Sequence, residues 1–231
     1  MNSRLSPPIA TLPEHRELWQ STLHWQPTPE QQALLQRLYA GIVAGNQRLN
    51  LTRIVEPEAF WEKHLWDSLR GIVSPTITPR EDQPLRVIDI GTGAGFPGLV
   101  IAIARPHWQI TLLDGTRKKI AFLQELIQTL GLGNVQAIAE RAEQWARQPG
   151  SPPRYDLACL RAVGSSLDCA RYALPLLAPG GIAVLYRGHW TTEEEAAIAP
   201  VLADLGGELR AIEPCTTPLT AGIRHCIYLQ R

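Results

Sequence analysis

The stretch LRVIDIGTGAGFPGLVIAIA, residues 85–104, runs from a short apolar segment through a burst of glycines into an apolar segment of helical length. A strand, a glycine-rich turn and a helix in that order open an α/β fold, because glycines let the backbone approach a ligand with no Cβ in the way. Gly93-Ala94-Gly95-Phe96-Pro97-Gly98 spells G-x-G-x-x-G, the dinucleotide-binding fingerprint. The glycines nevertheless begin earlier, at Gly91, and Asp89 stands two residues before them. Which nucleotide the loop suits decides what the chain does.

Toward the C-terminus, strand and helix patterns alternate. Strands are expected at 85–90, 109–114, 134–139, 155–161, 181–187, 208–214 and 224–231. Helical patterns fill the first five gaps, the clearest being TRKKIAFLQELIQTLGL at 116–132. This is the signature of a doubly wound, mostly parallel seven-stranded sheet. The last two strands have no helix between them and should pair as an antiparallel hairpin at one edge.

Toward the N-terminus the chain reads as helices. Thr28-Pro29-Glu30-Gln31 supplies an N-cap, a proline at the first helical position and a glutamine three residues after the cap. Leu34, Leu35, Leu38, Ile42 and Val43 carry that helix on at helical spacing. A second helix, from about Pro57 to Gly71, groups Trp61, Leu65, Ser68 and Leu69 on one face and Phe60, His64 and Asp67 on a neighbouring one. SPTITPREDQP at 74–84 reads as a linker. The expected division is a helical extension with its linker over 1–84 and an α/β domain over 85–231.

The 231 residues are 45% hydrophobic and 19% charged, enough for a sizeable core. No apolar run approaches the ~20 residues that cross a bilayer, and MNSRLSPPIATLPEHRELW lacks a signal-peptide stretch. A cytoplasmic protein away from membranes is expected. Cys159, Cys169, Cys215 and Cys226 show no metal or redox spacing, so reduced structural thiols and no metal are expected. Net charge is zero, but residues 85–161 carry 9 basic and 6 acidic side chains, against 8 and 9 before them and 5 and 7 after. A nucleic-acid partner would have to be held by a local patch.

A dinucleotide and S-adenosylmethionine would both lie over the carboxyl ends of the strands, where strand order reverses. They differ in what the loop must tolerate. A pyrophosphate wants backbone N–H groups and no carboxylate nearby, so Asp89 is a poor neighbour for it. S-adenosylmethionine has no phosphate but carries a sulfonium and an ammonium, which an acid before the glycines can receive. Asp114, ending the second strand, can accept both ribose hydroxyls of either cofactor, and Ala142-Glu143 after the third strand can meet adenine. A dehydrogenase would also need a substrate domain beyond residue 231. The reading is a class I methyltransferase, Rossmann-like, with an N-terminal helical extension.

NLTRIVEPEAFWEKHLWDSL (50–69), VIDIGTGAGFPGLVIAI (87–103), ITLLDGTRKKIAFLQEL (110–126), GLGNVQAIAERAE (131–143) and LRAVGSSL (160–167) occur in the order seen in one family. Over roughly residues 28–190 the chain resembles the RsmG (GidB) family, bacterial methyltransferases of 16S ribosomal RNA. The resemblance implies methylation at N7 of a guanine in the 530 loop, on the RNA, an assembly intermediate or the 30S subunit, with no obligate protein partner. It also implies cofactor contacts at Gly91, Phe96, Asp114, Gly115, Thr116, Ala142, Glu143 and Arg161. One departure is visible: where the family usually has a lysine before the glycine after strand five, this chain has Arg187-Gly188.

Guanine N7 has an available lone pair, so no general base is needed and no residue is assigned a catalytic proton transfer. In-line alignment can supply ~7–11 kcal/mol of the barrier. An arginine bidentate on O6 and N7 would block the nucleophile, so Arg187 or Arg161 is expected on O6, a phosphate or the cofactor's carboxylate. Candidate substrate contacts are Arg187, His64, Lys118 and Arg53. Each has a plainer alternative: His64 and Asp67 as hydrogen-bonding groups at a helix–sheet junction, Lys118-Lys119 as a solvated helix face, Arg53 as an ordinary surface residue. Phe96-Pro97 fits loop packing better than base stacking. Three competing functions remain: a 5-methylcytosine methyltransferase using Cys215 or Cys159, a methyltransferase of a small molecule or protein, and a non-catalytic cofactor-binding protein.

Overall fold

Val87, Ile88 and Ile90 are β-branched and buried, and with Asp89 they form a strand enclosed on both faces, Arg86–Ile90 (β1). In the computed structural model, which describes residues 10–77, 84–148 and 154–231, β1 lies near the middle of a seven-stranded sheet. The others are β2 (Gln109–Asp114), β3 (Val135–Ala139), β4 (Tyr155–Arg161), β5 (Leu177–Arg187), β6 (Glu208–Thr216) and β7 (Ile223–Gln230). Their order is β3-β2-β1-β4-β5-β7-β6. Every pair from β3 to β5 is parallel; β7 runs antiparallel to both β5 and β6. The closing hairpin therefore does sit at one edge, with β6 outermost. Strand order reverses between β1 and β4, which opens a crevice at their carboxyl ends.

Period-two alternation divides the core. Val87 and Leu112 face one cluster, which also holds Leu99, Ile103, Leu123 and the aromatic side chains of the N-terminal helices. Ile88, Ile90 and Leu113 face the other, with Ala170, Leu174, Ile198 and Leu202. The helices are α1 (Arg16–Leu23), α2 (Pro29–Asn46), α3 (Pro57–Phe60), α4 (Asp67–Arg70), α5 (Gly98–Ala104), α6 (Arg117–Leu130), α7 (Ala142–Trp145), α8 (Ser166–Ala173) and α9 (Thr192–Asp204). A π-helical segment, Trp61–Trp66, joins α3 to α4, so the expected helix at 57–71 is continuous but locally widened.

The N-terminal helices share the sheet's core. At the start of α2, the expected box forms: Gln31 N–H donates to Thr28 Oγ1 at 3.2 Å and Thr28 N–H to Gln31 Oε1 at 2.9 Å. The same Gln31 donates through Nε2 to the Ile103 carbonyl at the end of α5 (2.9 Å), so the cap also docks the helix. Further on, the hydroxyls of Tyr186 and Tyr228, from β5 and β7, donate to the carbonyls of Ser68 and Gly71. Of the expected linker at 74–84, residues 78–83 lie outside the described residues. Ser74 and Ile77 before them are buried, and the Ser74 and Thr76 hydroxyls donate to Glu213 of β6. No described helix is long and apolar enough to cross a membrane.

Close packing of α2 on α6 rests on absent side chains. A Cβ at Gly45 would stand 2.3 Å from Phe122 Cε2 and 3.1 Å from Leu51 Cδ1. Gly45→Ala gains ~1 kcal/mol of helix propensity but forces a buried ring to move, which costs about 1–3 kcal/mol. Thermal unfolding of the variant should show a lower Tm; a rise would mean that α2 does not sit this closely on α6.

Candidate cofactor and nucleic-acid site

Asp89 is fully buried, and its Oδ2 accepts hydrogen bonds from Thr92 Oγ1 (2.6 Å) and the Gly98 N–H (2.8 Å). The carboxylate thereby folds the glycine loop back onto the start of α5. A Cβ at Gly98 would come within 2.9 Å of that oxygen. Burial, only partly offset by these two hydrogen bonds, pushes the carboxyl up to about 6. Asp89 lines neither cavity described below. This corrects the expectation that it receives the ligand's cation: it is a latch on the loop. Gly91, next along, has φ +69°, and a Cβ there would meet Val163 Cγ2 at 2.6 Å. Only glycine satisfies both conditions.

At the end of β2, Asp114 accepts the Gly93 N–H on Oδ2 (3.0 Å) and the Thr116 N–H on Oδ1 (2.7 Å). Each oxygen keeps a second lone pair for another donor. Asp114 stands where two cavities meet. The smaller, about 310 Å³, is lined by Asp114, Gly115, Thr116, Ala142 and Glu143. The larger, about 620 Å³, is lined by Phe96, Arg161, His64 and Asp67 among others. Gly91, Asp114 and Val163 belong to both walls. The eight residues expected around the cofactor thus line two adjoining cavities.

The π-helical segment builds the far wall of the larger cavity. Arg161, ending β4, donates from Nη1 to the Lys63 carbonyl (2.7 Å) and Asp67 Oδ2 (3.3 Å), and from Nη2 to His64 Nδ1 (3.1 Å). His64 stacks on Phe96 with ring centroids 4.4 Å apart and planes 5° from parallel. Phe96 is itself buried, which makes it loop packing. Glu62, on the same segment, accepts from the Leu219 and Thr220 N–H groups and the Thr220 hydroxyl. That holds the β6–β7 turn against the cavity.

The expected substrate contacts separate. His64 lines the larger cavity but is buried with both ring nitrogens occupied. Arg187 lines neither cavity: it donates to the Gly164 carbonyl (3.1 Å) and pairs with Glu194 (3.4 Å) at the start of α9. That pairing gives Arg187 partners within the protein, where the sequence led to the expectation of an incoming base. Lys118 is exposed on α6, and its neighbour Lys119 lines the larger cavity instead. Helical phase carries that signal, since Lys119 stands three and four residues before the buried Phe122 and Leu123. Arg53 is exposed and lines a further cavity with Asn50, Leu51 and Thr52, of which Leu51 and Thr52 also line the larger one. Lys63, Arg224 and Thr52, all on the larger cavity, were missed by sequence reasoning. Arg224 comes from the distal hairpin, and nothing local announces it.

Burial, then the charges of Arg161 and Lys63, pull the His64 imidazole from 6.5 down to about 3. The unfolded chain takes up a proton there near pH 6.5 and the native one does not. His64's contribution to stability is therefore whole above pH 6.5 and is lost as pH falls through that window toward 3. His64→Phe, which keeps a ring against Phe96, should flatten the rise of unfolding free energy between about pH 4 and 6.5 by up to one proton, ~1.4 kcal/mol per pH unit. Urea titrations across that range measure it; parallel curves for variant and wild type would place a solvated imidazole in the native state.

A family model described as rRNA small subunit methyltransferase G matches residues 31–220. The chain is 53% identical over 222 residues to the ribosomal RNA small subunit methyltransferase G of Trichormus variabilis, covering 95% of this chain and 90% of that one. With the protein of the same name from Synechococcus elongatus it shares 54% over 213 residues, 92% and 87% of the two chains. Among solved structures, ribosomal protein L11 methylase from Lactobacillus delbrueckii subsp. bulgaricus aligns with a TM-score of 0.51 at 14% identity, over 73% of this chain and 79% of that one. TYW2 of P. horikoshii in complex with MeSAdo aligns at 0.53 and 14%, over 72% and 62%. These two share the fold. Since the family match runs from α2 into the β6–β7 turn, and half-identical relatives span nearly the whole chain, this protein belongs to the rRNA small subunit methyltransferase G family.

Proposed function

We propose that the chain transfers the methyl group of S-adenosylmethionine to N7 of a guanine in the 530 loop of 16S ribosomal RNA, in the cytoplasm, on the small subunit or a particle on the way to it. The observation that carries this reading is the pair of cavities joined at Gly91, Asp114 and Val163. The cofactor fits the donor set there. Asp114 has free lone pairs for two ribose hydroxyls, Ala142-Glu143 border the smaller cavity for adenine, and the Gly91 backbone lets the ligand pass into the larger one. When bound, it supplies an electrophilic methyl group on a sulfonium.

The chain's own work is alignment and charge. N7 needs no deprotonation, and His64 holds its Nδ1 lone pair toward Arg161. Lys63, Lys119 and Arg224 bring cations to the rim of the larger cavity for the RNA backbone. No cysteine lines either cavity, Cys159 is fully buried with its thiol pushed well up by that burial, and Cys215 lies on β6. This disfavours the covalent cytosine mechanism.

Small subunits from cells lacking the gene, treated with the protein and S-adenosylmethionine, should gain 7-methylguanosine at one position on nucleotide mass mapping; no gain, or another product, would overturn the reading. Asp114→Ala should weaken cofactor binding in calorimetry by ~1.5–3 kcal/mol. It should also loosen the loop, since two backbone N–H groups lose their acceptor; unchanged affinity would move the ribose contact elsewhere. Lys119→Ala should lower the salt-dependence slope of RNA binding by about one contact. Arg187→Ala should leave the slope unchanged, because that cation is already paired.

A further inference from the structure

Thr52 carries a hydroxyl whose hydrogen-bonding state is decided by its neighbours. Arginine has donors only, so His64 Nδ1, 3.1 Å from Arg161 Nη2, must be the acceptor nitrogen. The ring's single proton is then on Nε2, and Nε2–H donates to Thr52 Oγ1 at 2.9 Å. The Ile54 N–H donates to the same oxygen at 3.0 Å. Both lone pairs of Oγ1 are thereby filled, and its own proton has no acceptor among the described residues. The depressed basicity of His64 keeps this arrangement across the working pH range.

The backbone around Thr52 does not turn freely. Asn46 Oδ1 accepts the N–H groups of Leu51 (2.8 Å) and Thr52 (3.0 Å), and Asn46 Nδ2 donates to the Thr52 carbonyl (2.8 Å). Thr52 lines the larger cavity, and its hydroxyl is held in a state that donates and does not accept. A donor-only group discriminates between purines. It welcomes the O6 of guanine and opposes the N6 amino group of adenine, which also only donates at that edge. Arg161 turns three of its five N–H donors to the π-helical segment, and Arg187 lies outside the cavity.

We propose that the Thr52 hydroxyl selects the target base by donating to its exocyclic O6, and that Arg161 and His64 act as positioning residues that hold it in the donor-only state. The proposal rests on the guanine reading above. It leaves N7 free for methyl transfer, because the contact is a single hydrogen bond to O6 and not a bidentate fork.

The test varies both partners. Small subunits are reconstituted with 16S RNA whose mapped target carries guanosine, inosine, which keeps O6, or 2-aminopurine riboside, which keeps N7 and lacks O6. Wild-type protein should methylate guanosine and inosine alike and 2-aminopurine roughly tenfold more slowly, the loss of about one hydrogen bond. Thr52→Val should be roughly tenfold slower on guanosine yet equal to wild type on 2-aminopurine, while Thr52→Ser restores the wild-type pattern. Calorimetric affinity for S-adenosylmethionine should hold in both variants. His64→Phe, which empties one lone pair of Oγ1, should narrow the discrimination between guanosine and 2-aminopurine with cofactor affinity unchanged. Additive losses from Thr52→Val and 2-aminopurine would overturn the proposal, as would a loss of cofactor affinity, which would assign the hydroxyl to the cofactor's carboxylate. Should Thr52→Val not fold, equal wild-type rates on guanosine and 2-aminopurine overturn it alone. A wild-type product other than 7-methylguanosine sinks the guanine reading and the proposal with it. That product with no role for O6 sinks the proposal and leaves the reading standing.

Discussion

Arg161 ties the two parts of the chain together at the site. Its guanidinium reaches from the end of β4 to a carbonyl, a carboxylate and an imidazole of the N-terminal helical segment. Its side chain and that of Asp67 are 17% and 15% exposed, so neither charge is well hydrated without the other. Burial raises the Asp67 carboxyl and the Arg161 charge opposes the rise. Such a pair contributes little net stability, but removing one member costs ~3–5 kcal/mol, because the survivor is left buried and unpaired. The pair ties the π-helical segment to the end of β4, and both partners line the larger cavity.

Helical periodicity made half of this wall legible. Phe60, His64 and Asp67 were grouped on one face by ordinary spacing, and His64 and Asp67 do share the cavity. The π-helical widening over Trp61–Trp66 accompanies Glu62 on the same cavity, which a period of 3.6 separates from His64 and Asp67, whereas Lys63 stands four residues before Asp67 and lay within ordinary spacing. No propensity scale marks a π segment in advance. The compensating features, Glu62 holding the Thr220 turn and Trp61 packed in the core, lie more than 150 residues or a whole layer away in contact terms.

The cofactor half was legible for the opposite reason. Strand, glycine turn, helix and the acid at the end of β2 are consecutive in sequence, and a parallel sheet delivers such ends to one crevice by topology alone. Where a charge found its partner inside the protein, that partner decided its direction. Asp89 is turned inward by Thr92 and Gly98, and Arg187 is turned aside by Glu194 and the Gly164 carbonyl. A charge at a strand end announces that it needs a partner. It does not announce whether that partner is a ligand or the next helix.

The zero net charge acquires a meaning at this scale. A protein held to RNA by its overall field would lose affinity steeply with salt. Here the cations that reach the larger cavity are few, and they come from separate elements: Lys63 from the π segment, Lys119 from α6, Arg224 from β7. Each is positioned by packing that also builds the cavity, through Glu62 for the hairpin and Arg161 for the π segment. Long-range attraction is therefore weak, and the cations act within a Debye length of about 10 Å at ordinary ionic strength. An rRNA substrate would therefore be held by these cations only once it is docked at the cavity.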